Sequence, residues 1–210
     1  MKRSKTSNAW MREHVNDFYV KRAKRQGFRS RAAFKLMEIN ERDRLLVPGM
    51  TVVDLGAAPG GWSQVAAEKV GKRGKVIALD ILQMQPIAGV DFICGDFRED
   101  AVLKELRYKL HGKAADLVIC DISPNISGVS SHDQARAIEL AQLALEFSAQ
   151  VLKPQGGMLV KVFHGEGFED FLKAMRSRFK QVISRKPKAS RARSSEIYLL
   201  GRALRQLRQG

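Results

Sequence analysis

The amino-acid sequence predicts an α/β fold: a seven-stranded, mostly parallel sheet with helices on both faces and a C-terminal antiparallel hairpin. Three observations predict it. Short apolar, β-branched runs alternate with helical patterns between residues 51 and 179, which is the signature of parallel strands joined by helices. The first run, TVVDL, passes directly into the glycine-rich turn Gly56-Ala57-Ala58-Pro59-Gly60-Gly61. The last two runs, QVISRK and EIYLLGRAL, are joined by a short connection without a helical pattern, so they pair as a hairpin at one edge.

The elements follow in order. Helical stretches are expected around Trp10 to Lys24. After Ser30, RAAFKLMEINERD sets Phe34 with Met37, and Ala33 with Leu36, at helical spacing. Pro48-Gly49 turns the chain into the strand TVVDL (51–55), and GWSQVAAEKV reads as a helix. KVIALD (75–80) and VDFICGD (90–96) are strands, followed by a helix across 98–110 and the strand ADLVICD (115–121). Ser131 and Gln134 have capping-box spacing and open a long helix to Leu152. Lys153-Pro154 and Gly156-Gly157 punctuate its end. MLVKVF (158–163) is a strand and EGFEDFLKAMRSRF a helix, before the hairpin. Residues 1–30 form a basic N-terminal arm and residues 31–210 a single domain.

A chain of 210 residues with 44% apolar and 28% charged side chains can bury one real core. No apolar run approaches the roughly 18 residues that span a bilayer, and MKRSKTSNAW lacks the apolar stretch of a secretory signal. A soluble cytoplasmic monomer without membrane partners is expected. Cys94 and Cys120 each lie in an apolar run and are expected to be buried free thiols. The His and Cys spacing suggests no metal site.

Charge is more informative. The net charge is +15. Residues 1–31 hold ten Lys/Arg against Glu13 and Asp17, and residues 180–210 hold nine against Glu196. The middle is close to neutral. Segregated basicity of this kind suits a surface that tracks phosphates where the two ends of the chain meet, with nucleic acid as partner. A merely solubilising surface would not need the segregation.

In open α/β sheets, ligands bind beyond the carboxyl ends of the strands. Here four successive strands end near Asp54, Asp80, Asp96 and Asp121. An acidic rim repels the pyrophosphate of a dinucleotide and suits the sulfonium and ammonium groups of S-adenosylmethionine. The turn GAAPGG also departs from G-x-G-x-x-G. Asp80 is placed for ribose hydroxyls and Asp96 for the adenine amine, and Trp62 can line the site. Each aspartate taken singly is equally consistent with helix capping.

Lys161 lies amid Leu159, Val160, Val162 and Phe163. On an edge strand it would snorkel to water. On a buried strand, desolvation and a neighbouring positive charge favour the neutral amine, a general base. Lys35 can supply that charge, and Glu196 can hold one lysine in place. A base suits a hydroxyl acceptor, whereas methylating an amine needs little more than orientation. The segment Asp121-Ile122-Ser123-Pro124-Asn125 lacks the second proline and the aromatic of amino-methylating enzymes.

DLGAAPGGW with Lys35 ahead of it, then DISPN, LVKVF and SSEIYLLG, resemble the FtsJ family of ribosomal RNA 2′-O-methyltransferases, over nearly the whole chain and in order. The resemblance implies a Rossmann-like S-adenosylmethionine-dependent methyltransferase fold. It implies a catalytic tetrad of Lys35, Asp121, Lys161 and Glu196, with Lys161 as proton acceptor. Cofactor contacts are implied at Gly60, Trp62, Asp80, Asp96 and Asp121. Similarity to the heat-shock members implies a uridine in the aminoacyl-tRNA-binding loop of large-subunit ribosomal RNA as target. A transfer RNA substrate, a non-enzymatic RNA-binding assembly factor and a dinucleotide oxidoreductase are the rival readings.

Overall fold

The computed structural model describes residues 17–124, 130–191 and 194–205. Trp10 and Asn125 lie outside the described residues, as does most of the expected arm. The described elements are α1 (Phe18–Arg25), α2 (Ala32–Asp43), β1 (Thr51–Leu55), α3 (Gly61–Val70), β2 (Lys75–Asp80), β3 (Val90–Cys94), α4 (Asp100–Lys109), β4 (Ala115–Cys120), α5 (Ser130–Val151), β5 (Leu152–Phe163), α6 (Phe168–Arg178), β6 (Phe179–Arg185) and β7 (Glu196–Leu204). They form a seven-stranded sheet in the order β3-β2-β1-β4-β5-β7-β6. Strands β1 to β5 run parallel, and β7 is antiparallel to both β5 and β6. The strand order reverses between β1 and β4, and that is where a crevice opens at the carboxyl edge.

Side chains alternate across each strand, so the sheet feeds two cores. Val52, Val76, Ile119, Leu159 and Leu200 pack under α2 and α3. Val53, Ile77, Val118, Val160 and Leu199 pack under α4, α5 and α6. The α2 and α3 face also receives Tyr198.

Four features add to or depart from the sequence reading. First, the hairpin lies at one edge as expected, with β7 between β5 and β6 and β6 outermost. The reason is visible in burial: β7 is buried on both faces through Gly201, whereas β6 exposes Lys180, Gln181 and Ser184. Second, β5 begins at Leu152, with no loop before it. Leu152 pairs with Ala115 and Gly157 with Leu117, so Lys153 to Gly156 bulge out of the ladder. Pro154, which has no N–H to offer, falls in that bulge. Third, α5 starts at Ser130, which puts Ser131 inside the first turn instead of at the cap. Fourth, Cys94 is exposed while Cys120 is buried. Strand β3 is an edge strand and buries only Ile93. Burial pushes the Cys120 thiol up to about 12, which leaves it inert.

Within the described residues, parts of the two basic segments meet. Asp17 caps α1 by accepting from Tyr19 N (2.9 Å) and Val20 N (3.3 Å), and it pairs with Arg31 and Arg191. Arg31 also donates to Ala189 O. Glu38 accepts from Lys188 N (2.8 Å) and Ala189 N (3.3 Å). Ala23, Phe34 and Ala189 form a small core beneath them. Residues 17–30, expected as part of an arm, are thus packed onto the domain. Among the described residues, no helix is long and apolar enough to cross a membrane.

Candidate active site

Strand β5 lies between β4 and β7, so Lys161 cannot snorkel from an edge. It is 7% exposed and sits on the α2 side of the sheet with Leu159. Register completes the surroundings: Lys161 is opposite Tyr198 and Phe163 is opposite Glu196. Lys161 Nζ donates to Asp121 O at 2.8 Å and to Ser123 Oγ, and it lies 3.1 Å from Asp121 Oδ1.

A second pair stands beside the first. Lys35, from the buried face of α2, is 2.7 Å from Glu196 Oε1, and both residues are 8% exposed. Burial by itself would raise the Glu196 carboxyl, but the opposing influences, led by the positive charge of Lys35, hold the group below its usual range. Tyr198 links the two pairs. Its hydroxyl donates to Asp121 Oδ1 at 2.8 Å, and Lys35 Nζ lies 5.7 Å from its ring centroid. Burial, then the charges of Asp121 and Glu196, push the phenol well above its ordinary value, so it stays a donor. All four tetrad residues therefore lie in one connected network. Sequence reasoning missed Tyr198 and Ser123. The usable signal for Tyr198 was its i+2 spacing from Glu196, which puts both on one face of β7.

A cavity of about 580 Å³ opens at the same rim and is lined by Gly56, Asp80, Asp96, Asp121, Arg136 and Glu139, among others. Gly56 has φ +70°, and a Cβ there would lie 2.1 Å from Ile122 Cγ1; only glycine lets the backbone turn into the crevice. Asp80 accepts from Ala58 N and Leu82 N, each at 2.8 Å, so it braces two loops while keeping further lone pairs for hydroxyl donors. Asp96 is gripped by Arg98, whose Nε is 2.9 Å from both carboxylate oxygens. That hydrogen bond holds the Asp96 carboxyl below its usual range against the opposing effect of burial. Asp121 borders both the cavity and the lysine network.

The other expected contacts are placed differently. Trp62 is buried, donates from Nε1 to Ala32 O at 2.8 Å and packs 5.7 Å from the Tyr198 ring; it stands behind the site wall, not along the cavity. Gly60 caps α3 with φ +108° and faces Met84 and Ile87 of the loop after β2. Arg29, unremarked in the sequence, ties that loop down by donating to Pro59 O (3.2 Å), Gln85 O (2.6 Å) and Pro86 O (2.7 Å).

Asp54 does not line the cavity. It is fully buried and accepts from Ser63 Oγ at 2.6 Å. Burial chiefly, opposed by the Ser63 hydrogen bond and reinforced by Asp121 and Asp80, raises it to about 7 from 3.8. A raised carboxyl contributes stability that is complete below the unfolded value and is lost as pH rises through the folded one. The expected contribution is on the order of 4 kcal/mol, from about three pH units at roughly 1.4 kcal/mol each. In urea titrations, wild-type stability should fall between about pH 4 and 7, and Asp54→Asn should flatten that fall. An unchanged slope in the variant would assign the pH dependence elsewhere.

Comparison with known proteins gives a consistent result. The FtsJ-like methyltransferase family matches residues 28–204. A protein of Nitrosospira multiformis named ribosomal RNA large subunit methyltransferase E is 65% identical over 201 residues, covering 96% of this chain and 98% of that one. A protein of the same name from Azoarcus sp. is 63% identical, covering 98% of this chain and all of that one. Among solved structures, a protein of Plasmodium falciparum described as a ribosomal RNA methyltransferase superposes with a TM-score of 0.76 at 29% identity, covering 84% of this chain and 98% of that one. A second, from Clostridium thermocellum, has a TM-score of 0.52 at 19% identity and speaks to the fold alone. With the family model matching residues 28–204 and relatives above 60% identical over nearly the whole chain, the chain belongs to the FtsJ-like methyltransferase family.

Proposed function

We propose that this chain transfers a methyl group from S-adenosylmethionine to a ribose 2′-hydroxyl of large-subunit ribosomal RNA in the cytoplasm, at a uridine of the aminoacyl-tRNA-binding loop. The observation that carries the reading is the buried Lys161 amine against Asp121, a residue that also lines the acidic cavity. The ribosomal substrate is supported by the names of the relatives.

The residues present fit the cofactor. Four carboxylates, Asp80, Asp96, Asp121 and Glu139, along a cavity of about 580 Å³ suit a ligand with two cationic centres. Asp80 would receive the ribose hydroxyls, Asp96 the adenine amine and Asp121 the cationic end. Gly60 and Trp62 would shape the site through the loop and the packing behind it. S-adenosylmethionine, when bound, supplies an electrophilic methyl group. Lys161 accepts the hydroxyl proton as the oxygen attacks, and Asp121 and Ser123 aim its amine. Lys35, paired with Glu196 at 2.7 Å, stands beside this network. Holding nucleophile and donor in line can contribute roughly 7–11 kcal/mol.

Thermal shift separates this reading from a dinucleotide enzyme: S-adenosylmethionine should raise the melting temperature and NAD should not. Transfer of labelled methyl to large-subunit RNA, followed by digestion, should yield a 2′-O-methylated nucleoside. Label on a base would overturn the reading. Asp80→Ala and Asp96→Ala should each weaken S-adenosylmethionine binding by about 1.5–3 kcal/mol, as for a lost charged hydrogen bond, without changing RNA affinity. Titration calorimetry with unchanged cofactor affinity in both variants would remove these residues from the site.

A further inference from the structure

We propose that the amino-end edge of the sheet carries a second RNA-contacting surface, built from the turn before β2 and the C-terminal end of α4. The inference rests on the ribosomal RNA reading above and extends it to a part of the molecule that the active site does not use.

The sequence spreads these residues through a middle segment of near-zero net charge. The fold collects them. Lys75 Nζ donates to Lys109 O at 2.6 Å, which brings the Lys72-Arg73 turn beside the end of α4. Lys72, Arg73, Arg107, His111 and Lys113 are all exposed there. The nearby acids Asp91 and Glu105 already face Lys75 (3.3 Å) and Lys109 (4.0 Å), so the outer cations are not neutralised by them. Arg107 and Lys109 complement the helix dipole, but Lys72, Arg73 and Lys113 lie off the helix and gain nothing from it. Amid the cations stands Tyr108, 79% exposed, with its ring centroid 6.4 Å from that of His111. Exposed aromatics set among basic groups stack on unpaired bases while the cations follow the phosphates.

Strand β2 starts at Lys75 and ends at Asp80, so its length separates this edge from the catalytic rim by about 17 Å at roughly 3.3 Å per residue. A base on Tyr108 would therefore lie well away from the ribose at Lys161. Two anchors of this kind would let the enzyme prefer an extended ribosomal substrate over an isolated loop.

The test uses the full chain. The triple variant Arg73→Glu, Arg107→Glu and Lys113→Glu, and separately Tyr108→Ala, are measured for affinity to protein-free large-subunit RNA and to intact large subunits across a salt series. S-adenosylmethionine affinity and melting temperature serve as controls. The triple variant should bind both RNA forms at least tenfold more weakly, with a log–log salt slope flatter by about 0.7–0.9 for each lost contact. Tyr108→Ala should weaken binding and leave the slope unchanged. Wild-type affinity and slope in the triple variant would overturn the proposal, while the transfer assay described above would still stand. Weakened binding to subunits but not to naked RNA would put a ribosomal protein on this surface and also overturn it.

Discussion

Lys161→Ala is expected to lower methyl transfer by roughly 10⁴-fold, at the upper end of the range for a general base, while S-adenosylmethionine binding stays near wild type. The amine is held by Asp121 O at 2.8 Å and Asp121 Oδ1 at 3.1 Å, and no other described amine has that position. Lys35 is engaged by Glu196. Lys161→Arg should not restore turnover, because a guanidinium stays protonated, whereas it would restore activity if only positive charge were needed. Single-turnover transfer with RNA in excess isolates the chemical step. Near-normal rates in the alanine variant would end the assignment of Lys161 as base.

The largest effect on stability is expected at the neighbouring pair. Lys35→Ala leaves the Glu196 carboxylate buried without its counter-charge, a loss of about 3–5 kcal/mol. The side chains are 10% and 11% exposed, so solvent screening does little to reduce it. The sign with pH follows from Glu196. Its folded value lies below the ordinary 4.5, so the stabilisation is present above about pH 4.5 and is lost as pH falls through the lower folded value. The deficit of Lys35→Ala against wild type should therefore be full at pH 7 and shrink in acid. Pairing Lys35→Met with Glu196→Gln should recover much of the stability and still give a poor catalyst, which separates the structural role of the pair from its electrostatic one. A Lys35→Ala variant as stable as wild type at pH 7 would show that the pair is not effectively desolvated.

Element type and order were legible because each segment carries its own period. The strands from TVVDL to ADLVIC appear within a residue or two of their expected bounds, and the four residues implied as a tetrad were legible only through the family-like order of the motifs around them. The Lys153–Gly156 bulge was not legible, because Pro and Gly signal a break in local geometry without saying whether the chain leaves the sheet or only buckles within it. Cys94 was misplaced because an apolar run does not reveal that its strand lies at an edge and shows one face to water.

By itself the sequence determined the alternating strands and helices, the acidic strand ends, the segregated basic ends and a lysine in an apolar strand. These are properties of short windows and of counts. The tertiary structure alone decided that β7 enters between β5 and β6, and that insertion sets Tyr198 opposite Lys161 and Glu196 opposite Phe163. It also decided that Trp62 backs the site, that Asp54 is buried away from the cavity, and that Lys72 and Lys113 share one edge. The physical reason is that a strand's pattern fixes which side chains share a face, whereas its neighbours and register depend on burying both faces of each interior strand, a condition met only by the whole sheet.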